Sequence, residues 1–404
     1  EAVAEAVRSE APVLFVIENN RWSISTATPG QTFFDLPSGP AASFMGLDIT
    51  RIDGADLAAT RAAFEHQVGL VRRTRRPAIL LLDLERLSNH TNADDQELYR
   101  SEQDLAAGKT RDPLEAIRNA LRQSQMGDVA LAQLETALIA EVAAAASEAR
   151  SDPGPTGAGD AKAPYPDRFA EQREYRGDPA APVLTMREAL NSVLHTHLAA
   201  HPEISLLGQD IEDPKGDVFG VTRGLSTEFP GRVRNAPLSE STIVGTSIGR
   251  ALAGQRPVAF LQFADFLPLA FNQIISELGS LYWRTDGAWQ APVILMVSCG
   301  GYKAGLGPFH AQTLESVLAH TPGIDVVMPS SAGDAAGLLN AAFASGRPTV
   351  FLYPKSSLNL SDRRTSDDCA TQFVHPGRSR TLLAGDDLTL VTYGNPLTQS
   401  LMAA

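Results

Sequence analysis

The sequence predicts an α/β protein whose parallel sheets are flanked by helices. Short unbroken apolar runs at 12–17, 78–82 and 257–261 read as strands buried on both faces. Stretches of helical periodicity lie between such runs, so strand and helix alternate as in right-handed crossover units. A glycine-rich loop following a further apolar run, APVILMVSC, adds the kind of strand-end loop on which such sheets carry their sites.

A chain of 404 residues is long enough for two or three domains with sizeable cores. Its 43% hydrophobic and 20% charged residues are ordinary for a soluble globular protein. A formal charge of −13 argues against a nucleic-acid or anionic-membrane partner. Cys299 and Cys369 are too few and too far apart for a disulfide framework or a zinc site. No apolar run reads as long enough to span a membrane and no signal peptide opens the chain, so a cytoplasmic, reduced setting is expected. The alternation breaks off at both ends. EAVAEAVRSE is an uncapped helix, and LTLVTYG reads as the first strand of a new unit, so an excerpt of a longer polypeptide is expected.

Pro12 to Ile17 runs as a strand into Glu18-Asn19-Asn20, at the carboxyl end where parallel sheets bind ligands. An asparagine there offers a neutral oxygen to a magnesium ion, or makes a plain asparagine turn. Residues 47–85 then read strand, helix, strand, with Asp56 as helix cap and Pro77 as strand opener. The loop SNHTNADD (88–95) again follows a strand; its His90, taken alone, is a solvated loop histidine. Gly108-Lys109-Thr110 is not a phosphate loop, since Gln103 stands where the first glycine belongs and no strand precedes it. Residues 112–149 read as helical, opened by Asp112-Pro113. From 151 to 182 Pro, Gly, Ala and charge replace periodicity, which reads as a linker.

LTMREALNSVLHTHLAAH follows as an amphipathic helix with His195, His197 and His201 on its surface, then the strand ISLLGQDI. Gly216, Gly220 and Gly224 punctuate a loop. The stretch 233–275 reads strand end, short loop, small-residue helix, buried strand, helix. Glu240 stands at its loop-to-helix junction, beside so apolar a segment that an unbound carboxylate there is costly. Gly245 and Gly249, four apart on one face, leave room for another backbone. Further on, Gly300, Gly301, Gly305 and Gly307 do not make a dinucleotide fingerprint; they lead to His310, which alone reads equally as a structural loop histidine. Residues 323–355 close the region as strand, capped helix, strand.

PLSE, LQFADF and GPFHAQTLESVLAHTPGIDVVMPSS, in that order and spacing, resemble the beta half of the thiamine-diphosphate-dependent first component of 2-oxo acid dehydrogenase complexes. Residues 11–125 resemble its alpha half, through VLFVIENNRWSIST and SNHTNADDQELYRS. The resemblance implies two transketolase-like, thiamine-diphosphate-binding-type domains plus the start of a third α/β domain. The divisions expected are 1–150 (alpha-half, diphosphate and magnesium), 151–182 (linker), 183–378 (beta-half, pyrimidine) and 379–404. It implies that Asn20 and the Trp22 carbonyl hold Mg2+, with the remaining protein ligand in a Gly-Asp-Gly motif ahead of residue 1. Tyr is usual where Trp22 stands, a change that leaves a carbonyl ligand unaffected. Glu240 would hydrogen-bond a ring nitrogen of the cofactor's aminopyrimidine, unless it only caps its helix. Phe266 would pack on that ring, with Leu238 and Gln262 nearby. His310 and His90 would line the channel and move protons as the acyl group passes to a lipoyl arm. Thr91 falls where some relatives carry a regulatory phosphoserine, and one hydroxyl is no basis for regulation. Val297, Cys299 and Ala311 replace a usual Arg, Pro and Ser, which bears on substrate preference and loop geometry.

The implied activity is oxidative decarboxylation of a 2-oxo acid with acyl transfer to a lipoyl-bearing transacylase. Loss of carbon dioxide leaves a carbanion that no side chain stabilises, and the thiazolium ring of thiamine diphosphate supplies the electron sink. In the resembling enzymes the two halves of the site meet across a subunit interface, so a homo-oligomer is expected. A stand-alone carboligase or transketolase-like enzyme shares the Glu and fold without needing a lipoyl partner. A non-catalytic assembly subunit would keep the fold and fail to bind the cofactor.

Overall fold

The computed structural model describes residues 1–152 and 162–404. The chain divides into two compact units, Glu1–Gly154 and Pro155–Ala404. In the first, β1 (Leu14–Asn19), β2 (Ser43–Phe44), β3 (Leu47–Asp53) and β4 (Ala78–Asp83) form a sheet of order β1-β4-β3-β2. β1 and β3 both run parallel to β4, and β2 folds back antiparallel on β3. Helix α1 (Leu57–Thr74) makes the crossover, and the Asp56 side chain accepts from the Ala59 amide as its cap. The expectation of strands buried on both faces holds for central β4, whose Ile79, Leu80 and Leu81 are fully buried. It fails for β1, which is an edge strand with Val16 exposed.

Three helices follow, α2 (Glu102–Lys109), α3 (Pro113–Gln123) and α4 (Asp128–Ser151). The helical stretch expected over 112–149 is therefore two helices, broken where Gln125 takes a left-handed φ of 69°. Only Leu131 of α4 is buried. By length and composition alone α4 would pass for a membrane span, which corrects the reading that no apolar run reaches that length. Its alanines make the difference: each counts as apolar yet packs little area, and Glu135 and Glu141 interrupt the run.

The second unit holds α5 (Met186–Ala200), β5 (Ile204–Gly208), β6 (Val233–Asn235), α6 (Glu240–Leu252), β7 (Arg256–Leu261), β8 (Ile294–Cys299), β9 (Asp325–Val327), α7 (Ala332–Ser345) and β10 (Thr349–Pro354). Its sheet, β6-β5-β7-β8-β10-β9, is parallel throughout. Alternate strand residues feed two cores. Val258, Phe260, Met296 and Phe351 pack with α5 and α7, while Ala259, Leu261, Leu295 and Leu352 pack with α6 and residues 264–278. A capping box between Thr185 and Glu188 starts α5.

Several expectations are corrected. The stretch expected as a linker is docked where it is described, with residues 153–161 lying outside the described residues: Tyr165 stacks on Phe169, Phe169 meets Phe373, and Arg176 pairs with Asp334 at 2.9 Å. Gly333 permits this, since a Cβ there would lie 2.1 Å from the Arg176 carbonyl oxygen. His197 is not a surface residue; its ring stacks on Phe343 at 3.9 Å, bonds Asn340 at 2.9 Å, and burial lowers its pKa to about 4. No backbone within the described residues takes the space at Gly249. LTLVTYG is not a strand, because among the described residues no strand lies beside it to complete a ladder, and Leu388 and Val391 stay exposed.

Gly208 ends β5 against β7, and a Cβ there would stand 2.5 Å from Phe260 Cβ and 2.6 Å from its carbonyl oxygen. Gly208→Ala is expected to cost about 1–3 kcal/mol by overpacking. Thermal unfolding checks it, and an unchanged Tm would show that the strands part more easily than this spacing implies.

Candidate functional site

The carboxyl ends of β5, β7, β8 and β10 put Gln209, Gln262, Gly300 and Lys355 along one edge of the second unit's sheet. Glu240 opens α6 and is 7% exposed. It is not the helix cap, because Ser239 already accepts from the Thr242 amide. Its Oε1 instead accepts from Gln209 Nε2 at 3.2 Å, with the positive end of the α6 dipole beside it. Gln209 Oε1 is buried without a partner, an acceptor left facing no donor. Gln209 escaped the sequence reading, since nothing local marks a glutamine at a strand end as the partner of a residue 31 positions on.

The predicted Phe266 and His310 are brought together. His310 meets Phe266 at 5.8 Å and Phe263 at 4.8 Å, edge to face in both cases. Gln262 donates to Asp210 and accepts from the Ser298 hydroxyl through its carbonyl, so it fixes strand ends to one another. Leu238 is 83% exposed on the loop ahead of α6. Among the described residues no hydrogen bond joins Glu240 to His310; they share a sheet edge and no more.

Asp217 supports the same wall unseen by the sequence reading. At 2% exposure it accepts from the Val218 amide at 2.7 Å and the Phe219 amide at 3.4 Å, and burial pushes its pKa up to about 6. Phe219, so anchored, stands edge to face with Phe263 at 6.1 Å and Tyr302 at 5.5 Å. Lys355 lies beneath, its ammonium 4.7 Å from the Phe263 centroid, and burial lowers its pKa.

In the first unit Asn20 makes the asparagine turn, its Oδ1 accepting from the Trp22 amide at 3.0 Å. Neighbouring Asn19 is the buried member of the pair. It donates to Asp35 at 3.1 Å and Asp83 at 3.2 Å, and Arg51 bridges the same two carboxylates at 2.8 and 2.6 Å. Asp83 first, then Asp35, hold the Arg51 pKa above its ordinary value. The Trp22 ring lies 5.6 Å from Tyr99, under the guanidiniums of Arg86 and Arg100. His90 is exposed and is placed by its backbone: its amide donates to Asp94 at 2.8 Å. Tyr99 OH also donates to Asp94, at 2.7 Å, and accepts from Arg86 at 2.6 Å. The Tyr99 hydroxyl and then the His90 amide hold the Asp94 carboxyl below the usual range.

The second-unit site suits a flat nitrogen heterocycle: a buried carboxylate and an orphaned amide oxygen ask for N–H donors, beside an aromatic wall. Asn20 Oδ1 and the Trp22 carbonyl are oxygens of the type a hard cation takes, and would fill two of about six positions. Among the described residues no three His, Cys, Asp or Glu gather as a metal cluster.

Residues 183–361 match the transketolase pyrimidine binding domain, and residues 1–157 match the dehydrogenase E1 component. The chain is 37% identical over 224 residues to the 2-oxoisovalerate dehydrogenase subunit beta of Bacillus subtilis, covering 55% of this chain and 67% of that one. It is 36% identical over 228 residues to the pyruvate dehydrogenase E1 component subunit beta of Leifsonia xyli, covering 56% and 66%. With the acetoin:2,6-dichlorophenolindophenol oxidoreductase subunit beta of Cupriavidus necator it shares 32% over 231 residues, 55% and 67%. The chain thus spans about two thirds of the length of these relatives.

Asp217 makes stability depend on pH. A folded pKa of about 6, above the ordinary 3.8, means that the folded state holds the proton more tightly. Its contribution is complete below pH 3.8, falls as pH rises through about 6, and is lost above. Asp217→Asn is expected to gain on the parent across that window by up to about 3 kcal/mol. Tm measured against pH checks it; a difference that stays flat from pH 4 to 7 removes Asp217 as the cause.

Proposed function

Because this chain belongs to the family of E1 components of 2-oxo acid dehydrogenases, with alpha-type and beta-type parts in one polypeptide, we propose that it carries out the oxidative decarboxylation of a 2-oxo acid and passes the acyl group to a lipoyl-bearing transacylase. The family depends on thiamine diphosphate, which when bound supplies the electron sink for the decarboxylation. The observation that carries the reading is the buried Glu240 carboxylate, tied to Gln209 and left free of any capping duty.

On this reading Glu240 holds a hydrogen bond at a ring nitrogen, and Gln209 keeps the carboxylate aimed while its free Oε1 takes an N–H of the same ring. Phe266 and Phe263 give the ring an apolar face and keep water from it. Leu238 and Gln262 edge the same pocket, Gln262 by fixing the strand ends. The imidazoles of His310 and His90 move protons between substrate and solvent as the acyl group leaves. Asn20 and the Trp22 carbonyl would hold Mg2+ together with a ligand from elsewhere in the protein. The two half-sites lie in different units, which supports a homo-oligomer that completes them; the setting is cytoplasmic.

Glu240→Gln keeps shape and removes the charge. Turnover is expected to fall on the order of 10²–10⁴-fold with thermal unfolding close to the parent's. The intact protein is assayed on pyruvate, 2-oxoisovalerate and acetoin with 2,6-dichlorophenolindophenol as acceptor. Parental turnover in the variant overturns the role of Glu240. A 2-hydroxyketone formed with an added aldehyde, without reduction of the dye, favours the carboligase reading, and an intact protein that binds no thiamine diphosphate favours an assembly subunit.

A further inference from the structure

His310 is gripped by its backbone. Lys355 Nζ donates to the His310 carbonyl oxygen at 2.7 Å. On the other side, Asp265 Oδ1 accepts from the next two amides, Ala311 at 3.1 Å and Gln312 at 3.2 Å. The Gly300 amide closes the loop by donating to the Gln312 carbonyl at 2.9 Å. Each charge meets the end of the peptide dipole that it favours, the cation at a carbonyl and the carboxylate at N–H groups.

Apart from the Phe263 ring, 4.7 Å from the Lys355 ammonium, the two charges have little else to hold them. Lys355 is 4% exposed, and a lysine so buried is costly unless it is paired or used. Yet among the described residues neither Lys355 nor Asp265 makes an ion pair within 4.0 Å. Lys355 Nζ and Asp265 Oδ1 bond the segment 310–312, which is tied besides by the Gly300 amide and by Gln312 Nε2 donating to the Pro308 carbonyl at 2.6 Å, while Asp265 Oδ2 is buried without a partner. The segment leading to it is glycine-rich, with Gly300, Gly305 and Gly307 all at positive φ, and holds no more regular structure than a turn at 304–305 and the single helical turn Gly307–Phe309. The two clamping residues come instead from rigid places, the end of β10 and the turn after β7.

We propose that Lys355 and Asp265 are positioning residues: together they clamp the peptide segment 310–312 and so decide where the His310 imidazole stands against Phe263 and Phe266. This rests on the proposed role of His310. An imidazole on an unclamped loop would sample many positions, and a misplacement of about 1 Å can cost 10²-fold in rate.

Lys355→Met, Lys355→Arg, Asp265→Asn and His310→Gln are compared in the intact protein, by hydrogen exchange at the amides of 311 and 312 and by steady-state kinetics. Lys355→Met and Asp265→Asn are each expected to speed exchange there about tenfold or more and to lower kcat by about 10–100-fold at little change in KM. Lys355→Arg, which keeps the charge, is expected to recover part of both. Parental exchange in both neutral variants overturns the clamp, as does a loss carried by KM alone. Should Lys355→Met fail to fold, Asp265→Asn and Lys355→Arg decide. If His310→Gln keeps full turnover the catalytic reading of His310 falls, while the exchange measurement still decides whether the clamp exists.

Discussion

A carboxylate held out of water at the end of a parallel sheet is the constraint on which the second unit turns. Among the described residues Glu240 is buried with a neutral side-chain partner, Gln209, and makes no ion pair within 4.0 Å. Such a group would be cheaper as an aliphatic residue, because one hydrogen bond and a helix dipole only partly offset desolvation. Packing therefore does not explain it, whereas the proposed role, hydrogen bonding to a ligand, would. The sheet around it is built accordingly, with β5 and β7 held so close at Gly208 that the strand ends carrying Gln209 and Gln262 have little freedom.

The loops beyond that edge follow the same economy. Asp217 anchors Phe219, Asp265 and Lys355 anchor the 310–312 segment, and Gln262 joins neighbouring strand ends. Each polar group bonds backbone or a close neighbour, and Asp217, Asp265 and Lys355 thereby set an aromatic or imidazole ring in place. In the first unit Asp94 does likewise, taking the His90 amide while Tyr99, itself held by Arg86, donates to Asp94. Phe219, His310 and His90 are thus placed through backbone bonds to charged groups and not through bonds to their rings.

This division explains what could be read from sequence. Alternating strand and helix, the cap at Asp56 and the junction at Glu240 are local patterns, carried by periodicity and a few neighbouring residues. Gln209, Asp217 and Lys355 act on partners far along the chain, and no spacing rule connects Lys355 to His310. The misreadings have the same origin. His197 looks like a polar surface residue on a helix, and only α7, arriving with Phe343 and Asn340, makes it a buried one. LTLVTYG has the composition of a strand, but a strand exists only where a neighbour completes its ladder. α4 shows the converse, a helix whose alanines give it apolar length without burying it.

The departures at Val297, Cys299 and Ala311 gain a physical meaning from this arrangement. Val297 and Cys299 are both fully buried in β8, and burial pushes the Cys299 thiol up to about 12, so it stays a neutral, inert group. Neither side chain is free to line a cavity; both belong to the core packed with α6 and residues 264–278. Ala311 is different, because its amide is one of the two that Asp265 holds. A larger or more polar residue at 311 would act on the clamp, while changes at 297 and 299 would act on the floor beneath it. On the proposed reading, any difference of substrate from the relatives would act through how the His310 segment is carried, more than through which residues it presents.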